Sequence, residues 1–451
     1  MNGMSRRNRL SLLAVLLVST SGTAAAEQLT VSTDAFGSRD ASIAITNVTI
    51  VDVSTGTRQT GMTVVTKAHE IVQVGRDVSA PPGATRVDGT GRFLIPGLWD
   101  MHSHHQGTGA ESVDLFVANG VLGTRDMGAD VEFILPLRDR INNGQLLGPE
   151  ILATGPILDD RPSDWPFRRR VRNGQEGREA VRDLKARGVD FIKVHDGTPR
   201  EAFFAIADEA KKVGLPLVGH VPNQVKVEEA VAAGMKSIEH FANYRVLNQC
   251  SANPPHHQIS CEELFGMLSS RGVWQTPTIT FFQLIPDMFS GQPLPHAEYA
   301  SDALLELTRE NVRVSHLDAE GLSFFRTNNR TSLAAIKNLV SRGIGFLAGC
   351  DGLVPGFCLH DELVWMTKAG LSPLQALQTA TLNPARFLGR ERTQGTVAVG
   401  KRADLVLLEA DPLTDITHTR GIAAVILRGR LLAKPDLERI LAVHKRAGAT
   451  P

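Results

Sequence analysis

His102-Ser103-His104 places two imidazoles one residue apart. In an extended strand, residues i and i+2 face the same side, so both rings point into one space. A neutral imidazole is a good ligand for a divalent ion. Alone the pair is weak, because His-x-His recurs on surfaces and in cores. Four more residues of suitable type follow at the ends of short apolar runs: Lys193, His220, His240 and Asp351. Their separations are large, so the cluster forms only on folding. Five strand ends that each offer a metal-competent side chain make a metal cluster the reading of these residues.

The runs that must position these residues are 94–102, 121–125, 151–154, 191–194, 217–220, 237–240, 274–278 and 344–348. Helical patterns, such as 200–213 and 226–233, lie between them. Eight β–α repeats predict an α/β fold whose parallel strands close into a (β/α)₈ TIM barrel. Two connections are long, 156–176 and 279–333, and both follow strand ends where such barrels place their active sites. Residues 43–53, 62–67 and 70–75 are β-branched and strand-like, as are 403–408 and 423–432. They predict a small β-sandwich built from both ends of the chain. The expected order is a signal peptide (1–26), the N-terminal segment of the sandwich (27–94), the barrel (95–390), the C-terminal segment of the sandwich (391–432) and a last helix and tail (433–451), the helix covering about 435–445.

Charge and composition narrow the function. Lys plus Arg equals Asp plus Glu at 48 each in 451 residues, so no basic excess marks a nucleic-acid or anionic-membrane binder. No internal stretch is apolar enough for a membrane helix. Arg6, Arg7 and Arg9 precede the apolar run Leu10–Val18 and the small residues Ala24–Ala26. That is the pattern of a secretory signal, and Ser5–Leu10 loosely resembles a twin-arginine one. A secreted or periplasmic location is expected, with the Sec or Tat route open. Export permits disulfides. Cys250 and Cys261 flank a polar loop and form the favoured pair. Cys350 and Cys358 are a weaker candidate, because Cys350 adjoins the site.

The residues around these positions carry a resemblance. His102-x-His104, Lys193, His220, His240 and Asp351 look like the metal signature of the amidohydrolase superfamily. Ile95-Pro96-Gly97-Leu98-Trp99-Asp100-Met101-His102, Thr381-Leu382-Asn383-Pro384-Ala385 and Gly400-Lys401-Arg402-Ala403-Asp404-Leu405 agree with it. Within the superfamily the chain resembles the imidazolonepropionase-related branch, and Lys193 points to its dinuclear, dipeptidase-like subgroup acting on Xaa-Pro or Xaa-Arg/Lys. The resemblance implies two divalent ions, most readily Zn²⁺, bridged by Lys193 carboxylated to a carbamate. His102, His104 and Asp351 would hold one ion and His220 and His240 the other. A bridging hydroxide would attack an amide, with Asp351 as general base and then acid. Tyr244 would contact the carbonyl oxygen or a substrate carboxylate, and His195 and Asp196 would orient ligands. Arg125-Asp126 reads as a structural ion pair. His105 points away from the centre, and His256 and His257 read as surface residues.

One departure bears on substrate. Xaa-Pro relatives carry Gly-Gly-His after strand 3. Here Pro156–Asp160 and Trp165-Pro166-Phe167-Arg168-Arg169-Arg170 stand instead. The run would serve an aromatic or carboxylate-bearing group or lie as a solvated loop. The leading expectation is a metal-dependent hydrolase of a dipeptide or N-acyl amino acid. The alternatives are a hydrolase of a cyclic amide, a lactone or an N-acylated aromatic amino acid, similar to ochratoxin-degrading relatives, and a periplasmic binding protein with a vestigial metal site. A small-molecule partner is expected, nucleic acid and stable membrane insertion are not, and a homo-oligomer stays open.

Overall fold

The computed structural model describes residues 42–161, 167–240, 260–315 and 317–446. The signal segment, Trp165, Pro166, Tyr244, Cys250, His256 and His257 fall outside these ranges, and with them the Cys250–Cys261 pairing.

The β-branched ends form strands as their composition predicts. They are β1 (Ser42–Val51), β2 (Arg58–Lys67), β3 (Glu70–Gly75), β4 (Thr85–Asp88) and β5 (Phe93–Pro96). The middle of the chain supplies β6 (Leu98–Ser103), β7 (Val121–Asp126), β8 (Glu150–Ala153), β9 (Ile157–Asp159), β10 (Arg168–Arg170), β11 (Ile192–Val194), β12 (Leu217–Gly219), β13 (Met235–Glu239) and β14 (Trp274–Thr276). The last three are β15 (Leu405–Leu408), β16 (Ile422–Leu427) and β17 (Arg430–Ala433).

Strands from both ends of the chain meet. They share one eight-stranded sheet in the order β17-β16-β15-β5-β1-β2-β3, with β4 on β1. The stitch is β5, antiparallel to β15 and parallel to β1. Glu70 of β3 also bridges Arg402, just ahead of β15, so the sheet curls until its β3 edge meets the C-terminal segment. Ile43, Ile45, Val48, Ile50, Leu405 and Leu407 fill the core of this sheet. At Gly97 the chain passes from β5 into β6. A Cβ there would lie 2.7 Å from the Leu122 side chain, so only glycine permits the close junction.

The middle strands pair in parallel, β6-β7-β8 in one sheet and β10-β9-β11-β12-β13-β14 in another. A few backbone bonds link their edges. Asp190 N, beside β11, donates to Ala153 O of β8 at 2.8 Å. On the far side, Phe346 bridges Gln275 of β14, and Met101 N of β6 donates to Ala348 O at 2.9 Å. The expected strand at 344–348 is thus a single bridge. Its glycines explain this. A Cβ on Gly345 would lie 2.3 Å from the Trp274 ring, and one on Gly349 2.6 Å from the Cβ of His102, so the backbone presses flat against its neighbours.

Helices cover the parallel strands. In Arg200–Val213, Ala202, Phe203, Ile206 and Ala210 recur at helical spacing and are buried. The helix expected at 226–233 spans Val227–Ala232. The 279–333 connection forms helices Ile279–Phe289, Asp302–Ser315 and Ala319–Ser341. The final helix, Lys434–His444, docks through His444 Nε2 on Asp114 Oδ1 at 2.7 Å. Among the described residues no helix is long and apolar enough to cross a membrane.

Candidate metal centre

Folding brings the polar strand ends together. His102 and Ser103 end β6, with His104 just after it. Lys193 is the middle residue of β11, His220 follows β12, and His240 follows β13. Asp351 closes the segment that bonds back to β6, its N donating to His102 O at 2.7 Å. One Asp351 oxygen stands 3.3 Å from Nε2 of both His102 and His104, and the other 3.8 Å from His240 Nε2. Ring centroids of His102 and His240 are 4.6 Å apart, and those of His220 and His240 4.8 Å. His240 and Asp351 both adopt left-handed backbone, φ 56° and 57°. Such conformations at non-glycine residues persist where the surroundings impose them.

The opposite ring nitrogens are held from behind. His102 Nδ1 meets Glu239 Oε2 at 2.9 Å, and His220 Nδ1 meets Asp196 Oδ1 at 2.9 Å. His104 Nδ1 meets Gly128 O at 3.3 Å. His240 Nδ1 meets Thr278 Oγ1 at 2.6 Å, and that hydroxyl donates to Pro277 O. Every one of these partners can accept. Each ring is therefore set as the Nδ1–H tautomer, with the lone pair on Nε2 for an ion. His102 Nε2 is buried and has no hydrogen-bond partner, which fits a metal ligand. Asp351 is held well below the usual carboxylate range. Burial alone would raise it, but the imidazoles of His240, His102 and His104 that face it outweigh that.

Lys193 is 1% exposed. Burial pushes its amine down to about 8, against the upward pull of Glu239 and Asp351. Gly219 lies beside its stem, where a Cβ would come within 3.0 Å of Lys193 Cδ.

Two groups behind the centre carry more than the sequence suggested. Arg125 does not pair with its neighbour Asp126. Its wholly buried guanidinium donates to Met101 O (2.7 Å), Ser237 Oγ (2.9 Å), both Glu239 oxygens (3.0 Å each) and Thr276 Oγ1 (3.2 Å). It thereby ties β6, β7, β13 and β14 across the interior. Asp126 instead accepts from the backbone of His105 and Gly128. Glu239 was not singled out from the sequence. Its signal was the alternation of Ser237 and Glu239 on one face of a buried strand, with a lone Arg in the equally buried β7. Asp100 is a second omission. It accepts from His102 N at 3.0 Å and Cys350 N at 3.2 Å, and burial pushes it up to about 8.

His195 stacks on His220 with centroids 3.8 Å apart, and its Nδ1 faces Arg161 and, at 3.5 Å, Asp159. His105 points away as expected, Nε2 on Thr124 Oγ1 at 2.9 Å. The Arg run meets carboxylates of the chain itself: Arg168 with Asp159, Arg169 with Asp183 and Arg170 with Asp160. Cys350 and Cys358, the weaker candidate pair, are joined in a disulfide. Asp100, Cys350 and Cys358 cluster at ligand distances, but sulfurs bonded to each other are no thiolate ligands.

The Amidohydrolase family model matches residues 93–432, and the chain belongs to that family. An imidazolonepropionase of Symbiobacterium thermophilum is 31% identical over 388 residues, covering 80% of this chain and 86% of the relative. An ochratoxinase of Aspergillus niger is 23% identical over 413 residues, 76% of each chain. Among solved structures, a putative prolidase from Bifidobacterium longum superposes with a TM-score of 0.69 at 26% identity, over 90% of this chain and 99% of that one. The protein is an enzyme, a metal-dependent hydrolase acting on carbon–nitrogen bonds.

Proposed function

We propose that the chain is an exported, dinuclear metal hydrolase that cleaves the amide of a dipeptide or N-acyl amino acid. The observation that carries this is the Asp351 carboxylate facing the Nε2 atoms of His102, His104 and His240, with every ring fixed from behind. Nitrogen and oxygen donors of this kind suit Zn²⁺. His102, His104 and Asp351 would hold one ion, and His220 and His240 the other. Lys193 would join them once its neutral amine has added CO₂ to become a carbamate. Bound ions supply a polarised carbonyl and an acidified water. Asp351, kept ionised, takes the proton of the attacking water and delivers it to the leaving nitrogen. Asp196, Glu239, Gly128 and Thr278 hold the imidazoles in orientation.

The parallel strands, with the bridge at Phe346 and the bonds across β8–β11 and to β6, fit a (β/α)₈ barrel spanning about residues 95–390. The arginine-rich start and apolar run of residues 1–26 support export. N-terminal sequencing of protein recovered outside the cytoplasm would begin near residue 27. The function is tested by amine release from a panel of dipeptides and N-acyl amino acids, with Zn²⁺ and bicarbonate. Turnover of a defined subset, abolished by a chelator and by Lys193→Ala, is the expected result. Undiminished turnover in Lys193→Ala would overturn the dinuclear mechanism.

A further inference from the structure

The helix Phe357–Lys368 follows the loop that Asp351 opens. Cys358 and Glu362 lie four residues apart, so they share one face of it, and both are buried. Cys358 is joined to Cys350, the residue before Asp351. Cys350 N also donates to His102 O at 3.1 Å and to Asp100 Oδ1 at 3.2 Å. Asp351, with its left-handed φ of 57°, is thereby fixed between β6 and the helix, although its loop carries Gly352 and Gly356, both at positive φ. Glu362 reaches a different ligand. The helix Ile279–Phe289 begins after Thr278, a residue type that commonly caps its own helix through the hydroxyl. Here Thr278 makes no such bond, and its hydroxyl lies between His240 Nδ1 at 2.6 Å and Pro277 O at 2.8 Å. Glu362 takes over the cap, accepting from Ile279 N at 2.9 Å, Thr280 N at 2.7 Å and Thr280 Oγ1 at 2.9 Å. The helix Phe357–Lys368 is itself anchored by His360, whose Nε2 donates to Asn119 O at 3.0 Å and whose Nδ1 meets Thr419 Oγ1 at 3.0 Å.

We propose that the helix Phe357–Lys368 positions the metal ligands from one face, Cys358 holding Asp351 through the disulfide and Glu362 holding His240 through Thr278. Cys358 and Glu362 are positioning residues and give no atom to an ion. Without Glu362, the first N–H groups of the helix Ile279–Phe289 would draw the Thr278 hydroxyl to themselves, and His240 would lose the acceptor that sets its tautomer. Without the disulfide, the glycine-bearing loop gains conformations and Asp351 leaves its left-handed backbone. The assignment of Asp351 to one ion and His240 to the other rests on the dinuclear reading.

The test is calorimetric titration of the metal-stripped full chain with Zn²⁺ in bicarbonate, which needs no turnover. The wild type is expected to take two ions. Cys350→Ala/Cys358→Ala should weaken one binding step by about tenfold or more, and Glu362→Ala the other. Glu362→Gln keeps an accepting oxygen and should restore most of that loss. Thr278→Val removes the hydroxyl with the Glu362 cap in place. It should weaken the same step as Glu362→Ala, and it carries the test should that variant fail to fold. Cys350→Val/Cys358→Ala stands in for the disulfide variant in the same way. Both steps unmoved, or both weakened alike by each variant, would overturn the positioning role, since a general loosening of the fold does not choose between ions. A wild type that takes a single ion would overturn the dinuclear reading instead. The positioning role then stands if both kinds of variant weaken that one step, and falls if neither does.

Discussion

Glu239 and Glu362 are both wholly buried carboxylates, one behind the metal centre and one beneath the helix Ile279–Phe289, and their acidities move in opposite directions. Glu239 faces the Arg125 guanidinium and His102. Burial alone would raise it, but these charges hold it below the usual carboxylate range. Glu362 accepts from two backbone N–H groups and the Thr280 hydroxyl. Burial dominates there and pushes it up to about 7. Hydrogen bonds from neutral donors do not offset lost hydration as a full opposite charge does. The interior behind His102 is therefore a fixed ion pair, and the support under the helix Ile279–Phe289 is a group poised to titrate.

The largest expected effect breaks the ion pair. Arg125→Leu leaves Glu239 buried without its cation, and should lower unfolding stability by about 3–5 kcal/mol in denaturant titrations. A loss below about 1 kcal/mol would show that the pair is solvated in solution. Glu239→Gln is gentler. The amide oxygen can still accept from His102, so the fold should survive while metal affinity falls by about 10–100-fold in competition with a chromophoric chelator.

Lys193 extends the comparison to a cation. Its amine lies under the pull of Glu239, yet burial keeps it at about 8 against an ordinary 10.5. The neutral form, the only one that adds CO₂, grows as pH rises through about 8. Metal-stripped enzyme given Zn²⁺ and a fixed CO₂ concentration should recover faster above that value than below it. Pre-equilibrated Lys193→Ala should show no CO₂ dependence.

For Glu362 the folded value is raised from 4.5 to about 7. The folded state then binds the proton more tightly than the unfolded one. Its stabilising contribution is complete below about 4.5 and is lost as pH rises through about 7. Melting temperature should therefore slope downward across that window, and Glu362→Gln should flatten the slope. The smallest effect is expected at the exposed pair of Arg170 with Asp160. Arg170→Ala should change stability by no more than about 0.5 kcal/mol.

Much of the cluster was legible because metal-competent side chains stand out in or at the ends of apolar runs. His102, His104, Lys193, His220, His240 and Asp351 satisfy that condition one strand at a time, and the fold brings them together. Asp196 was visible as a neighbour of Lys193. Glu239, Asp100 and the Arg125 contacts were not, since a charged residue in a buried strand reveals its partner only when another strand is laid beside it. Arg125 has an acid next in sequence, but alternation sends Asp126 to the other face and leaves Arg125 to find Glu239 across the interior. The segment 344–348 reads as a strand because its apolar pattern hides how closely Gly345 and Gly349 lie against Trp274 and His102.

By itself the amino-acid sequence determined which residues are able to bind ions and that β and α units alternate, because side-chain chemistry and hydrophobic period are local properties. Tertiary structure alone decided that both ends share one sheet, that Arg125 belongs to Glu239, and that Asp351 faces the rings of His102, His104 and His240. Those outcomes depend on distances between segments far apart in the chain, and no local pattern encodes them.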